Sequence, residues 1–196
     1  MFFKKREPVS HIAVFLGNPG REYENTRHNA GFLAAGFCEK AAGVKINRLK
    51  FGSLTATAQI GGRTVFLQKP QTYMNLSGGA VWQPMSFYKI PLSNVIVITD
   101  DTSLPAGKLR IRPRGSSGGH NGLRDIIAKC GGEGFPRIRI GVGSPPHEDY
   151  DIASWVLAKF TGEDETLVLA AAERAVRAIE TILTHGVDRA MSDYNG

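Results

Sequence analysis

From Gly17 to Gly31 the chain reads GNPGREYENTRHNAG, which gathers three asparagines around a single imidazole, His28. An imidazole among uncharged hydrogen-bonding groups is equipped to take a proton while the amides hold the other reactant. Three further polar stretches follow segments that read as strands: Thr72-Tyr73-Met74-Asn75, Asp100-Asp101, and Gly118-Gly119-His120-Asn121-Gly122. Functional groups of open α/β sheets gather beyond the carboxyl ends of the strands. If these stretches meet there, one pocket holds two histidines, a carboxylate and the amides of Asn18, Asn75 and Asn121. A carboxylate beside an imidazole fixes its tautomer and favours its protonated form, which makes it a workable general base. Asparagine amides donate to a developing oxyanion and hold a water in place. The set suits attack of water on an ester or other activated acyl group, with no metal and no covalent intermediate.

Each residue also has an ordinary structural use. His28 fits the first turn of a helix, Asn18 a turn with Pro19-Gly20, and Asn75 a helix cap. Asp100 suits a turn after its strand, and Gly118–Gly122 a flexible connection. Recurrence at one end of the sheet favours the chemical reading. A rival is Gly115-Ser116-Ser117-Gly118-Gly119, which matches G-x-S-x-G and makes Ser117 a nucleophile candidate, with Asp151 and His185 following in hydrolase order. Pro113 and several added residues separate this stretch from its strand, whereas a nucleophile elbow needs a sharp turn. His185 beside Gly186 fits the end of a helix, where a cation meets the dipole. The histidines show no H-E-x-x-H or H-x-H spacing, and His147-Glu148 lies in a polar loop. Walker A and complete G-x-G-x-x-G sequences are absent, so no metal and no cofactor are expected.

The elements that must position these residues follow from periodicity. His11–Leu16 is a buried strand, and helical spacing runs from about Thr26 to Ala42, with Gly43 as a stop. Ser53–Ile60 and Arg63–Lys69 flank Gly61-Gly62 as a hairpin. A helix is expected from Asn75 to Tyr88 with Pro84 as a kink, and a central strand at Val95–Thr99. Lys108–Arg112 and Arg137–Val142 are further strands, with a helix near Leu123–Cys130 between them. A short helix at Ile152–Phe160 precedes a long one at Glu163–Thr184, whose apolar side carries Leu167, Ala171, Ala175, Ile179 and Ile182. Strands alternating with helices, plus a hairpin, give an α/β domain with a mixed, twisted sheet surrounded by helices.

The chain has 196 residues, 42% hydrophobic and 21% charged, which suits one globular domain over 11–196 behind a flexible basic extension at 1–10. Cys38 and Cys130 form no C-x-x-C, so a zinc ribbon or disulfide framework is not expected. The N-terminus lacks an apolar run of signal-peptide length, and the protein is expected to be soluble and cytoplasmic. The net charge of +6 favours an anionic partner. Lys108, Arg110, Arg112 and Arg114 alternate with Leu109, Ile111 and Pro113, and Arg137 and Arg139 repeat the pattern. On strands this period puts every cation on one face, which points to a polyanion such as nucleic acid. The structural alternative is a face charged against aggregation.

The segments FLGNPGREYENTRHNAGF, KPQTYMNLSG, TDD followed by LPAG, SGGHNGLRDII and RIRIGVG together resemble the bacterial-type peptidyl-tRNA hydrolase family. The closing HGVDRAMSDYN is similar as well. The resemblance implies hydrolysis of the ester joining a peptide to the terminal ribose of tRNA, which recycles tRNA from aborted translation. By motif, His28 is the base, Asp100 holds and stabilises it, and Asn18 lies near the substrate carbonyl. Asn75 and Asn121 position substrate and water, Tyr23 and Tyr73 line the cleft, and His120 lies on its gate. Arg112 and Arg139, with Arg110 nearby, fall where the family grips a tRNA phosphate. The family fold is metal-independent and usually monomeric. Thr102-Ser103 stands where the family usually has Leu-Asp, and Ser116 where a histidine is common. These departures bear on the rim and lid more than on the chemistry. Organellar relatives that bind RNA without hydrolysis supply the alternative function; His28, Asp100 and the three asparagines argue against it here.

Overall fold

The computed structural model describes residues 7–195. Most of the stretch expected as a basic extension lies outside them, but Ser10 donates both its amide and its hydroxyl to the Thr64 carbonyl. Seven strands form one mixed sheet in the order β2-β3-β4-β1-β5-β7-β6. They are β1 (His11–Phe15), β2 (Arg48–Lys50), β3 (Ser53–Ile60), β4 (Arg63–Pro70), β5 (Val95–Asp101), β6 (Leu109–Arg112) and β7 (Arg137–Gly141). The four central strands β4, β1, β5 and β7 run parallel, while β3, β2 and β6 add antiparallel edges. The β3–β4 hairpin turns on Gly61 and Gly62, both at positive φ, as a two-residue turn between twisted strands requires.

The helices are α1 (Ala30–Ala42), α2 (Ser77–Tyr88), α3 (Asn121–Cys130), α4 (Ile152–Leu157), α5 (Glu163–His185) and α6 (Val187–Tyr194). The central strands β4, β1, β5 and β7 are buried on both faces, and the first three read as nearly continuous apolar runs, whereas edge strand β6 alternates buried and exposed residues. Along β1, Ala13 and Phe15 face a core built with α1, α5 and α6, whereas Ile12 and Val14 face one built with α2 and α3. Gly31 in the first turn of α1 lies against the backbone of Leu16 and Ile98, where a methyl group would collide. That close approach brings His28 onto the end of β5.

Two elements escaped the sequence reading, β2 and α6. The first has three residues and no apolar alternation, and the second is a short polar segment. The buried side of α5 also differs from expectation. Val168, Ala171, Ala172, Ala175, Ala178, Ile179 and Leu183 are buried, while Leu167 is 41% exposed. The alanines let α5 lie close to Ala34 and Ala35 of α1 in the same core, and this small-residue contact sets the rotation of the helix. Among the described residues no helix is long and apolar enough to cross a membrane.

Candidate active site

The chain leaves β1 toward β4 and later returns to pair β5 on the other side of β1, so the carboxyl ends of these strands form a topological switch point. A cleft of about 700 Å³ opens there. Asn18, His28, Tyr73, Asn75, Asp100, His120, Asn121 and Arg139 all line it, so the four polar stretches converge. Each reaches the cleft by a different local route. Asn18 follows β1 directly and accepts from the Met74 amide through Oδ1 at 2.8 Å, which leaves its Nδ2 to face the cleft. Asn29 fixes the same loop by exchanging two hydrogen bonds with the Asn18 backbone. His28 sits in a 3-10 turn, Arg27–Asn29, that precedes α1. Asn75 lies in another, Met74–Leu76; it does not cap α2, which starts at Ser77 without a side-chain cap. Released from that duty, it is exposed to the cleft.

Asp100 is the centre of the charge arrangement. It is 3% exposed, and its Oδ1 and Oδ2 both lie 3.0 Å from His28 Nδ1. His120 Nε2 lies 2.9 Å from Oδ1 of the same carboxylate. The resemblance puts His120 on a gate, but here it is bonded to the centre of the site. Its Nδ1 accepts from the amides of Gly122 and Leu123 as the N-cap of α3, so its proton resides on Nε2 and points at Asp100. Thr99 Oγ1 is 2.6 Å from the same Nε2, a contact not foreseen because Thr99 read only as a β-branched strand former. With Nδ1 of His28 donating to Asp100, its Nε2 carries the lone pair.

Burial alone would lower the His28 pKa, but the charge of Asp100 and its hydrogen bond outweigh burial and hold it above 6.5. Burial would raise Asp100, yet the charges of His28 and His120 and their hydrogen bonds keep it well below the usual carboxylate range. Asp100 therefore stays ionised while His28 titrates. The ring nitrogens and the carboxylate lie within 4.8 Å of one another, a spacing three ligands of one cation would also have. The separations of 2.9–3.0 Å and the amide-capped Nδ1 of His120 suit shared protons.

Other expected residues lie elsewhere. Tyr23 is in a 3-10 turn where its carbonyl accepts from Thr26, and it is not among the cleft-lining side chains. The serine arrangement does not assemble. Asp151 accepts from Ala153 and Ser154 as the cap of α4, and His185 bonds the adjacent Thr184 at the end of α5.

The cationic face is smaller than its sequence suggests. Register pairs Arg110 with Arg139 and Arg112 with Arg137 across β6 and β7, so all four share one face. Arg110 and Arg112 are exposed there. Arg137 is buried because the glycine loop folds over it; its guanidinium donates to the carbonyls of Gly115, Ser116, Glu133 and Phe135. Burial lowers its pKa to about 10. It staples the loop that leads into His120 and cannot meet a phosphate. Arg139 lines the cleft with Nε 2.8 Å from Asp101 Oδ2. Sequence reasoning also missed the opposite wall, Ile152, Ala153, Val156 and Leu157 of α4. Its only sequence signal was a run of apolar residues on a helix too short to bury them.

Fold and site together define a single-domain α/β protein with a carboxylate-anchored imidazole at the carboxyl ends of its central strands. The model of the peptidyl-tRNA hydrolase family matches residues 12–196. A peptidyl-tRNA hydrolase of Caldanaerobacter subterraneus subsp. tengcongensis is 50% identical over 95% of this chain and 100% of its own length. One from Carboxydothermus hydrogenoformans is 48% identical over 94% and 97%. The crystal structure of peptidyl-tRNA hydrolase from Acinetobacter baumannii superposes with a TM-score of 0.88 at 34% identity, covering 95% of this chain and 96% of that one. The chain belongs to the peptidyl-tRNA hydrolase family.

Proposed function

We propose that this protein hydrolyses the ester between a peptide and the terminal ribose of tRNA, with water activated by His28 as the nucleophile. The observation that carries this reading is His28 Nδ1 held by Asp100 at 3.0 Å while Nε2 is left to accept a proton. Water bound against Nε2 loses its proton as it attacks the ester carbonyl. The resulting imidazolium is stabilised by Asp100, which is already ionised. Asn18 Nδ2 is available to the developing oxyanion, and Asn75 and Asn121 hold substrate and water. Tyr73, 59% exposed on the rim, offers a surface for the substrate. Collapse of the tetrahedral intermediate expels the ribose oxygen, which takes the proton from His28, so no covalent enzyme intermediate forms.

Purified protein should release N-acetyl-amino acids from N-acetyl-aminoacyl-tRNA. Binding of tRNA without release would favour the RNA-binding alternative instead. We further infer that the protein acts in the cytoplasm, where translation generates its substrate, and as a monomer, as the resemblance to its family implies.

The exposed Arg110 and Arg112, with Arg139 beside the cleft, are assigned to a tRNA phosphate. Arg112 is the cleaner test, because removing Arg139 would also leave the buried Asp101 without its cation. Arg112→Ala should raise KM for peptidyl-tRNA and spare kcat, as loss of uniform binding requires. The slope of log affinity against log salt should flatten by about one unit. A minimal ester without the tRNA body should be hydrolysed as before. Unchanged affinity and salt slope would make the face only a solvated strand surface.

A further inference from the structure

Arg27, the residue before His28, is 4% exposed, yet its charge has no part in the reaction above. Its Nη1 donates to the carbonyls of Lys159 at 2.8 Å and Ala158 at 3.4 Å. The guanidinium carbon stands 3.7 Å from the centroid of Trp155 and 5.4 Å from that of Phe160. Asp164 lies 3.7 Å from Nη2. The backbone follows the same path: Arg27 N donates to Ala158 O, Phe160 N donates to Asn25 O, and Thr26 bridges Lys159. Trp155 is fixed from its other end by Nε1, which donates to the Gly143 carbonyl at 2.8 Å.

Trp155 belongs to α4, and residues 158–160 follow it directly. The helix has only six residues and one buried side chain, Val156, so its own packing does little to fix it. Ile152, Ala153 and Leu157 line the cleft beside Val156, with Ile152 and Leu157 at 50% and 44% exposure, while Trp155 turns to Arg27. A buried guanidinium is an expensive way to fill space, and an apolar side chain would fill it at lower desolvation cost. What the guanidinium adds is direction, through a fixed fork on two carbonyls and a planar stack on the indole.

We propose that Arg27 is a positioning residue that ties the apolar wall of the cleft to the segment carrying His28, so that an apolar side chain of the substrate is held in register with the base. This rests on the reading of His28 as the base. It makes the residue next to the ester a specificity determinant, with α4 as its receiving surface and Arg27 as the part that sets the distance between them.

The test compares N-acetyl-phenylalanyl-tRNA with N-acetyl-glycyl-tRNA. The parent should prefer the phenylalanyl substrate. Arg27→Met should lower kcat/KM for it by about tenfold or more, the scale of one lost apolar pocket contact. The glycyl substrate should be nearly unaffected. The acid limb of the pH profile should stay in place, because the His28–Asp100 pair is not touched, and Arg27→Lys should restore part of the preference. Trp155→Leu, which removes the stacking ring and keeps the carbonyl bonds, should act in the same direction and serves if Arg27→Met does not fold. Equal losses on both substrates, an unchanged ratio, or a parent without preference would overturn the proposal. Full activity in His28→Ala would instead remove the reading beneath it, so the two failures are separable.

Discussion

His28→Ala should lower kcat and kcat/KM together by about 10²–10⁴-fold, the usual contribution of a positioned general base. Affinity for tRNA should hold, since the cations assigned to phosphate lie on β6 and β7. The fold should hold as well, because Asp100 keeps the His120 proton 2.9 Å from Oδ1 and is not left bare. Initial rates on peptidyl-tRNA beside a tRNA-binding isotherm provide the check. The serine alternative forecasts the reverse, with Ser117→Ala abolishing activity and an organophosphate labelling Ser117. With Asp151 committed to capping α4 and His185 bonded to Thr184, Ser117→Ala is expected to retain the parent rate.

Asp100→Asn should keep the fold and lose at least about 10²-fold in kcat, as amide-for-carboxylate exchange does when it imposes the wrong imidazole tautomer. Both carboxylate oxygens lie 3.0 Å from His28 Nδ1, so an amide NH2 in place of either one offers that nitrogen a donor. His28 then keeps its proton on Nε2, where a lone pair is needed. The pH profile should move too. Asp100 holds the His28 pKa above 6.5 against a burial effect that lowers it. Without the anion, burial is unopposed and the pKa falls, so the acid limb of the rate profile shifts to lower pH. Linkage gives the same group a second signature. A raised imidazole pKa contributes stability that is complete below the unfolded value near 6.5 and is lost as pH rises through the folded value. Denaturant titrations across that window should show this dependence in the parent and lose it in Asp100→Asn.

Every sheet strand but β2 and every helix but α6 were legible because each of those elements carries its own signal. Gly43 ends α1 in a left-handed turn, Gly61-Gly62 forces the hairpin, and the β-branched run of β5 ends at the carboxylate it delivers. Asn121 follows the antiparallel β6, whose carboxyl end lies at the other end of the sheet, and only the returning glycine loop brings it to the cleft. The convergence of Asn18, Asn75 and Asp100 was legible, since β1, β4 and β5 run parallel and send the loops that follow them to one end of the sheet. Contacts whose partners are distant in sequence were not. Arg137 alternates like a solvent-facing cation, and only the fold of the glycine loop over it reveals a staple. His120 looks like part of a mobile glycine stretch until its Nδ1 is seen capping α3 and its Nε2 reaching Asp100. The wall formed by α4 was invisible for the same reason, because its attachment to Arg27 joins residues more than 120 positions apart.

The most direct test of the account is the titration of the His28 imidazole itself, followed by NMR in the free protein and set against the acid limb of kcat/KM, which reports the ionisation of the free enzyme. Both should give the same pKa, above 6.5 in the parent, and both should fall together in Asp100→Asn. An acid limb that stays in place while the His28 resonance moves would show that another group takes the proton from water.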